Sequence, residues 1–284
     1  MHTIKERIIT QAVERTDVAT LNQQLYTINS DIEFSDILKS SWKSLQRNTD
    51  DPEKWIETGR NFKRQNLHRE AIEAFSQGIT NDCFNYLLFR HRAHSYLNIC
   101  RYKEAVADFK LSVRMNPFHF DSWYLMGISY YLMQRYEEAS DIFKQALIIA
   151  DSDAEMVCTV YWRWFSLMLI NNKQEADELL ERVKPNLKLV SCEAFYKVLL
   201  ICKGLLTPEQ VLNIPDNSYT NAHSIMFYGV AQYYYLNGDI EKGNQVIEDL
   251  LRNEEERRWA GFAYQAAILE KNRNFNSKGA SYEN

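Results

Sequence analysis

Three consecutive segments decide the fold: PEKWIETGRNFKRQNLHREAIEAFSQGITNDCFN at 52–85, YLLFRHRAHSYLNICRYKEAVADFKLSVRMNPFH at 86–119 and FDSWYLMGISYYLMQRYEEASDIFKQALIIADSD at 120–153. Ala71, Ala105 and Ala139 stand 34 residues apart, and Phe75, Phe109 and Phe143 follow four residues after each. Upstream, Trp55, Phe89 and Trp123 keep the interval, as do Gly59, Ala93 and Gly127, then Phe62, Tyr96 and Tyr130. Gly78, Ser112 and Ala146 complete the set, and Pro117 closes the second segment. Self-similarity at this period marks a repeat whose unit is one supersecondary element.

The residue types say what the element is. Small residues let two helix backbones approach while aromatics fill the space beside them, so each segment reads as an antiparallel pair, helix A (52–65 in the first) and helix B (68–81). Bulk at Gly127 or Ala139 is expected to overpack the pair by roughly 1–3 kcal/mol. No pair buries its apolar face alone, so about three must stack. Composition agrees: only 9 Gly and 5 Pro stand in 284 residues, against 17 Tyr, 14 Phe and 6 Trp, which argues against a turn-rich β protein.

These offsets resemble the tetratricopeptide repeat (TPR), over 52–153 without gaps. The resemblance implies an all-α fold, a right-handed α-solenoid of helix pairs with capping helices. Weaker units flank the regular ones. Residues 157–188 align through Trp164, Leu167, Ala176 and Leu180, displaced by three residues around Asp151-Ser152-Asp153. Residues 189–213 read as an irregular pair, with a helix near 191–203 ended by Gly204 and a short one from Pro208. Residues 224–251 restore the pattern through Ala231, Tyr234, Gly238, Gly243 and Leu250. The predicted division is therefore 1–51, a leader helix (1–16) and a degenerate repeat, then 52–153 regular, 154–253 degenerate, a capping helix at 254–271 and a disordered tail at 272–284. The degenerate repeat rests on Leu21, Leu25, Ile28 and Ile37, and its helix 34–46 sets Phe34, Ile37, Leu38, Trp42 and Leu45 on one face. The layout also resembles bacterial TPR proteins without an assigned activity.

Helices A of the family line a groove for a peptide. Carried onto this chain, the groove positions are Ile56, Arg60, Lys63 and Arg64, then Arg90, His91, His94 and Asn98, then Asp121, Tyr124, Ile128 and Tyr131, and finally Tyr161, Trp162, Phe165 and Met168. The set runs from basic to aromatic. Arginines grip carboxylates bidentately and aromatics anchor interfaces, so the expected partner is a protein or peptide with an acidic segment followed by apolar anchors. Co-chaperone members of the family clamp a C-terminal carboxylate with Lys, Asn and Arg side chains. Here those positions hold Ile56, Arg60, His91, Asp121 and Leu125, so that clamp is absent.

Other chemistry is not supported. His91 and His94 lack a third ligand at a zinc spacing, and no metal or other cofactor is expected. Glu137, Glu138 and Glu175 fall where acids favour a helix N-terminus. No phosphate-cradling loop or nucleophile elbow occurs. A net charge of −5 offers no footprint for nucleic acid, and Val157 to Ile170 is too short to span a membrane. Five scattered cysteines read as buried thiols of a reducing compartment, and no signal peptide is read at the N-terminus, so a cytoplasmic setting is expected. The leading reading is a non-catalytic scaffold. A peptide-responsive sensor and an unrecognised metal-dependent enzyme are the alternatives, and self-association is compatible with each.

Overall fold

The structure is a computed structural model, and it describes residues 33–213, 221–257 and 261–279. The predicted leader helix and Leu21, Leu25 and Ile28 lie outside the described residues. Among the described residues there are fourteen helices and no strand. The chain divides into two compact units, residues 1–129 and 130–284.

The first unit holds α1 (Asp36–Arg47), α2 (Pro52–Arg64), α3 (His68–Asn81), α4 (Tyr86–Asn98), α5 (Tyr102–Met115) and the greater part of α6 (Phe120–Leu132). Side chains of Ser35, Asp51 and Asn85 accept from first-turn amides of α1, α2 and α4, which satisfies donors that a helix start leaves open. The predicted pair 52–65 and 68–81 is observed within a residue. Trp55 explains one repeated aromatic, because its indole donates to Thr49 O at 2.7 Å. Trp123 does the same to Pro117 O at 2.8 Å, so each ring ties a helix A to the turn before it. Phe34 and Trp42 set their edges on Phe62 at 6.0 and 5.9 Å, joining α1 to the core of Leu38, Ile56, Phe75 and Leu88. Ile37 departs from its predicted place and is exposed. It sits one residue before Leu38, whose direction points inward, and 100° per residue carries it away.

The turns inside the pairs share one device. Asn66, Cys100 and Gln134 have φ near +60°, 34 residues apart, and Asn171 follows after 37. In each, the next residue's amide reaches back five positions: Leu67 to Phe62 O, Arg101 to Tyr96 O, Arg135 to Tyr130 O and Asn172 to Leu167 O, all at 2.9–3.0 Å. This is the Schellman closure of a helix C-terminus. The interval of 37 carries the three extra residues read near Asp151.

The second unit contains α7 (Tyr136–Ile149), α8 (Asp153–Leu169), α9 (Lys173–Leu180), α10 (Glu193–Cys202), α11 (Pro208–Leu212), α12 (Asn221–Leu236), α13 (Ile240–Arg257) and α14 (Phe262–Gly279). Every residue of α8 from Val157 to Leu167 is buried. Its Arg163 donates to Ser140 O on α7 at 3.2 Å and pairs with Glu175 on α9, while the Tyr161 hydroxyl donates to Ile225 O on α12 at 2.9 Å. The short helix from Pro208 opens with a Thr207–Gln210 capping box. The C-terminal boundaries differ from expectation. The charged run beginning at Glu254 ends α13 instead of opening a cap at 254–271, and the last helix spans Phe262–Gly279, including most of the predicted tail. Gly261, a poor helix former, stands directly before it.

Among the described residues no helix is long and apolar enough to cross a membrane. None of the five cysteines is in a disulfide, but only Cys158 is buried, and Cys83 is exposed at the turn after α3.

Candidate functional site

The basic positions of the first unit come together on α2 and α4. Arg60 and Arg64 are exposed, whereas Lys63 is half-buried. The Lys63 ammonium lies 2.8 Å from His94 Nδ1. An ammonium only donates, so Nδ1 accepts and the ring carries its proton on Nε2. One helix turn away, Arg90 Nη1 donates to His91 Nδ1 at 2.9 Å and Nη2 to Asp121 Oδ2 at 2.6 Å. The His91 ring stacks on Phe75, centroids 5.5 Å apart and planes 20° from parallel. Both linking bonds, Lys63–His94 and Arg90–Asp121, join residues 31 apart. That separation is one repeat less three residues, the step from one helix A to the facing position on the next.

The electrostatics follow from crowding of like charge. Burial, then Arg90 and Arg60, lower the Lys63 ammonium to about 7, with Asp121 pulling the other way. Burial and Lys63 hold His68 down to about 4. Burial, then Arg90, Lys63 and Arg60, bring His91 to about 2, and burial, then Lys63, put His94 well below the ordinary imidazole range. The imidazoles are therefore neutral acceptors and spacers. The cations stand around them against one carboxylate, Asp121, which is half-exposed.

Three groove expectations are corrected in this unit: Ile56, His91 and Ile128 are buried. Tyr124 keeps a partly open place and stacks on Phe120 at 5.6 Å.

In the second unit the predicted aromatic end of the groove is interior. Tyr131, Trp162 and Phe165 are 2%, 1% and 0% exposed, and Tyr161 is 0% exposed. They do come together. Tyr131 and Trp162 meet at 4.9 Å, Tyr161 meets Trp162 at 5.1 Å and Phe165 at 5.0 Å, and Phe195 of α10 closes on Tyr161 at 5.0 Å. These rings pack α8 against α10 and α12, so a partner does not reach them. In the run Tyr161-Trp162-Arg163-Trp164-Phe165 only Arg163 is polar, and a helix apolar on nearly every side is a buried one; that signal was available in the sequence.

His68, which the groove offsets omit, borders the basic cluster. Its Nδ1 is buried without a hydrogen-bond partner among the described residues. Among the described residues no group of three or more His, Cys, Asp or Glu side chains is placed to hold a metal.

The tetratricopeptide-repeat family profile matches residues 120–152. The chain carries a tetratricopeptide repeat there. Two curated proteins resemble it locally: protein bimA of Emericella nidulans, 26% identical over 107 residues, and human RNA polymerase II-associated protein 3, 25% identical over 99. The first match covers 38% of this chain and 13% of bimA, the second 35% and 15%, so the chain spans a small part of either relative. A solved tetratricopeptide repeat protein of Parabacteroides merdae is 16% identical with a TM-score of 0.50, covering 87% of this chain and 79% of that one. That likeness shows the same all-helical fold class.

Proposed function

We propose that the chain is a non-catalytic scaffold that binds a protein partner, and that the α2–α4 face of its first unit takes an acidic peptide segment. The observation that supports this is the charge imbalance at Lys63. Its ammonium has cationic neighbours in Arg60 and Arg90, a neutral imidazole as its hydrogen-bond partner, and Asp121 opposing them. A carboxylate arriving there relieves repulsion already present and forms charge-assisted hydrogen bonds. Arg60 and Arg64 stay exposed at the rim, where charge steers encounter. The interior position of Trp162 and Phe165 removes them as anchors, so the proposal assigns the partner's acidic stretch and no apolar pocket in the second unit. Reduced thiols on all five cysteines fit a reducing compartment such as the cytoplasm.

The test uses an array of acidic, neutral and basic peptides of equal length, probed with the full chain and with an Arg60→Glu/Arg64→Glu variant. Both substitutions are at exposed positions, unlike Arg90→Glu, which would set two carboxylates together at Asp121. Acidic peptides should bind and should lose at least tenfold in affinity to the variant. A bound carboxylate raises the Lys63 pKa, so binding takes up a proton and weakens as pH rises from 6.5 to 8.5. Preference for basic peptides, or equal binding by the variant, overturns the reading.

A further inference from the structure

Two of the five cysteines meet in the second unit. Cys158 stands on α8 and is 5% exposed, while Cys192 is half-exposed and directly precedes α10. Their thiols are hydrogen-bonded to each other. The packing beside them agrees. Three residues on from each cysteine, Tyr161 of α8 and Phe195 of α10 set ring edge to ring face at 5.0 Å, so the two helices lie side by side at this level. Cys158 Sγ also donates to Glu155 O on its own helix at 3.3 Å. The backbone of Cys192 is left-handed, with φ of 67°, a conformation that L residues seldom adopt. The connection before it is pinned, because the Tyr196 hydroxyl on α10 donates to Lys184 O at 2.9 Å and accepts from the Leu187 amide at 3.1 Å. The other three thiols stand differently. Burial pushes Cys100 and Cys202 up, and Cys83 is exposed at a turn of the first unit.

We propose that Cys192 and Cys158 form a site of oxidation by hydrogen peroxide, with Cys192 as the attacking thiol and Cys158 as the resolving one. Exposure assigns the roles: peroxide reaches Cys192, and Cys158 is buried against it. The Cys192 thiolate attacks one peroxide oxygen, the O–O bond breaks, and the departing hydroxide takes up a proton and leaves as water. The sulfur is thereby oxidised to a sulfenic acid. Cys158 Sγ, already in contact, attacks that sulfur. The S–S bond forms, the S–O bond breaks, and the hydroxyl leaves with the Cys158 proton as a second water. Two thiols and one peroxide thus give one disulfide and two waters. The thiolate needed for the first step is favoured here. The hydrogen bond from Cys158, opposed by burial, aided by Ser191 and opposed again by Glu155, lowers the Cys192 thiol to about 7. A place at the start of α10 also favours negative charge. The disulfide would tie α10 to α8 across α9, and thiol reductants would reopen it. The site does not depend on the acidic-segment reading of the first unit.

The experiment exposes the full chain to equimolar hydrogen peroxide at neutral pH, blocks the remaining thiols with iodoacetamide, digests without reductant and identifies linked peptides by mass spectrometry. The expected product is a Cys158–Cys192 disulfide, with Cys192 oxidised at least tenfold faster than Cys83, Cys100 or Cys202. Cys192→Ser should abolish the fast oxidation. Cys158→Ser should accumulate a sulfenic acid on Cys192, which dimedone traps, whereas the wild type should not. If Cys158→Ser does not fold, the wild-type linkage and Cys192→Ser, altered at the half-exposed position, decide together. Oxidation that begins at another cysteine overturns the proposal, as does a disulfide from Cys192 to another cysteine or to a second chain. A folded Cys192→Ser protein oxidised as fast as the wild type overturns it too. Dithiothreitol should return both thiols, and a Cys192 left as sulfinic acid would sink the resolving role of Cys158.

Discussion

In the first unit, the inner positions of helices A hold Lys63, Arg90, His91 and His94, joined by hydrogen bonds that leave cationic charge near the surface. In the second, the matching positions of α8 hold Trp162 and Phe165, sealed by rings from α10 and α12. The repeat offset is the same, but its environment is not. A groove position is a place on a helix, and whether it faces a partner depends on what the rest of the chain lays over it. Where the repeat keeps its 34-residue period, each helix A meets the next through i, i+31 polar contacts. Where the connections lengthen and α10 to α12 fold back, the same face becomes core.

The sharpest way to break this comparison is to truncate one aromatic in each unit. Trp162→Ala should cost about 3–5 kcal/mol through cavity formation, or roughly 10 °C in melting temperature. Tyr124→Ala, at a partly open position beside Phe120, should cost less than about 1.5 kcal/mol. Urea unfolding of both variants reads the difference. A Trp162→Ala protein as stable as the wild type would return that ring to the binding surface.

The next effect belongs to the first unit and depends on pH. An unfolded His68 takes up a proton near pH 6.5, whereas the folded one, held at about 4, does not. The unfolded chain then binds more protons, so stability falls as pH drops from about 6.5 to 4. His91 acts with the same sign down to about 2. Lys63, folded at about 7 against an ordinary 10.5, adds a rise in stability as pH climbs between those values. For His68 the contribution amounts to about 2 kcal/mol between pH 7 and 4.5. His68→Gln should flatten the profile by that amount. Parallel profiles for wild type and variant would mean that His68 is as well solvated folded as unfolded.

Glycines offer a finer contrast. A Cβ at Gly59 would lie 2.6 Å from Phe75 Cζ, in a ring that is fully buried. A Cβ at Gly243 would press as closely on the Tyr235 ring, which is half-buried and yields toward solvent only by giving up its 2.9 Å hydrogen bond to Asn244 Oδ1. Alanine gains about 1 kcal/mol of helix propensity at either position. Gly59→Ala should still be destabilising by about 1–2 kcal/mol through overpacking, and Gly243→Ala close to neutral. Equal melting temperatures would show that Phe75 moves as freely as Tyr235.

The helix pairs were legible because each repeated offset reports one local packing need. Small Gly59 answers Phe75, and Trp55 and Trp123 answer the turns before them. The closing turns were less so, since Cys100 and Gln134 hold a left-handed conformation that nothing in their side chains announces, whereas Asn66 is of a type that favours it. Arg60, Lys63, Arg64, Arg90 and the two histidines could be placed on one face by the groove offsets that the family resemblance implies. Their wiring could not, because it joins side chains of neighbouring pairs, although the i, i+31 spacing is simple once the stack is known. Tyr131 and Trp162 were misplaced because Tyr228, more than sixty residues downstream, packs on both, and Phe165 because it packs on Tyr161, which Phe195 covers.

The smallest expected effect tests where the two units should not differ. Arg101 and Arg135 stand one repeat apart, each just before a helix B, and each pairs with a glutamate three residues on, Glu104 and Glu138. Both pairs are substantially exposed, so water and salt screen them and side-chain ordering offsets part of the attraction. Arg101→Gln should lower stability by less than about 1 kcal/mol, and the loss should shrink further in 0.5 M salt. Arg135→Gln should have a smaller effect still, since its pair is the more exposed, although the guanidinium also covers the Tyr130 ring at 5.0 Å. A double-mutant cycle with Glu104→Gln isolates the pair term from the helix-start effect of removing an acid. A coupling of several kcal/mol would mean that exposed ion pairs, and not the differing cores, separate the two units.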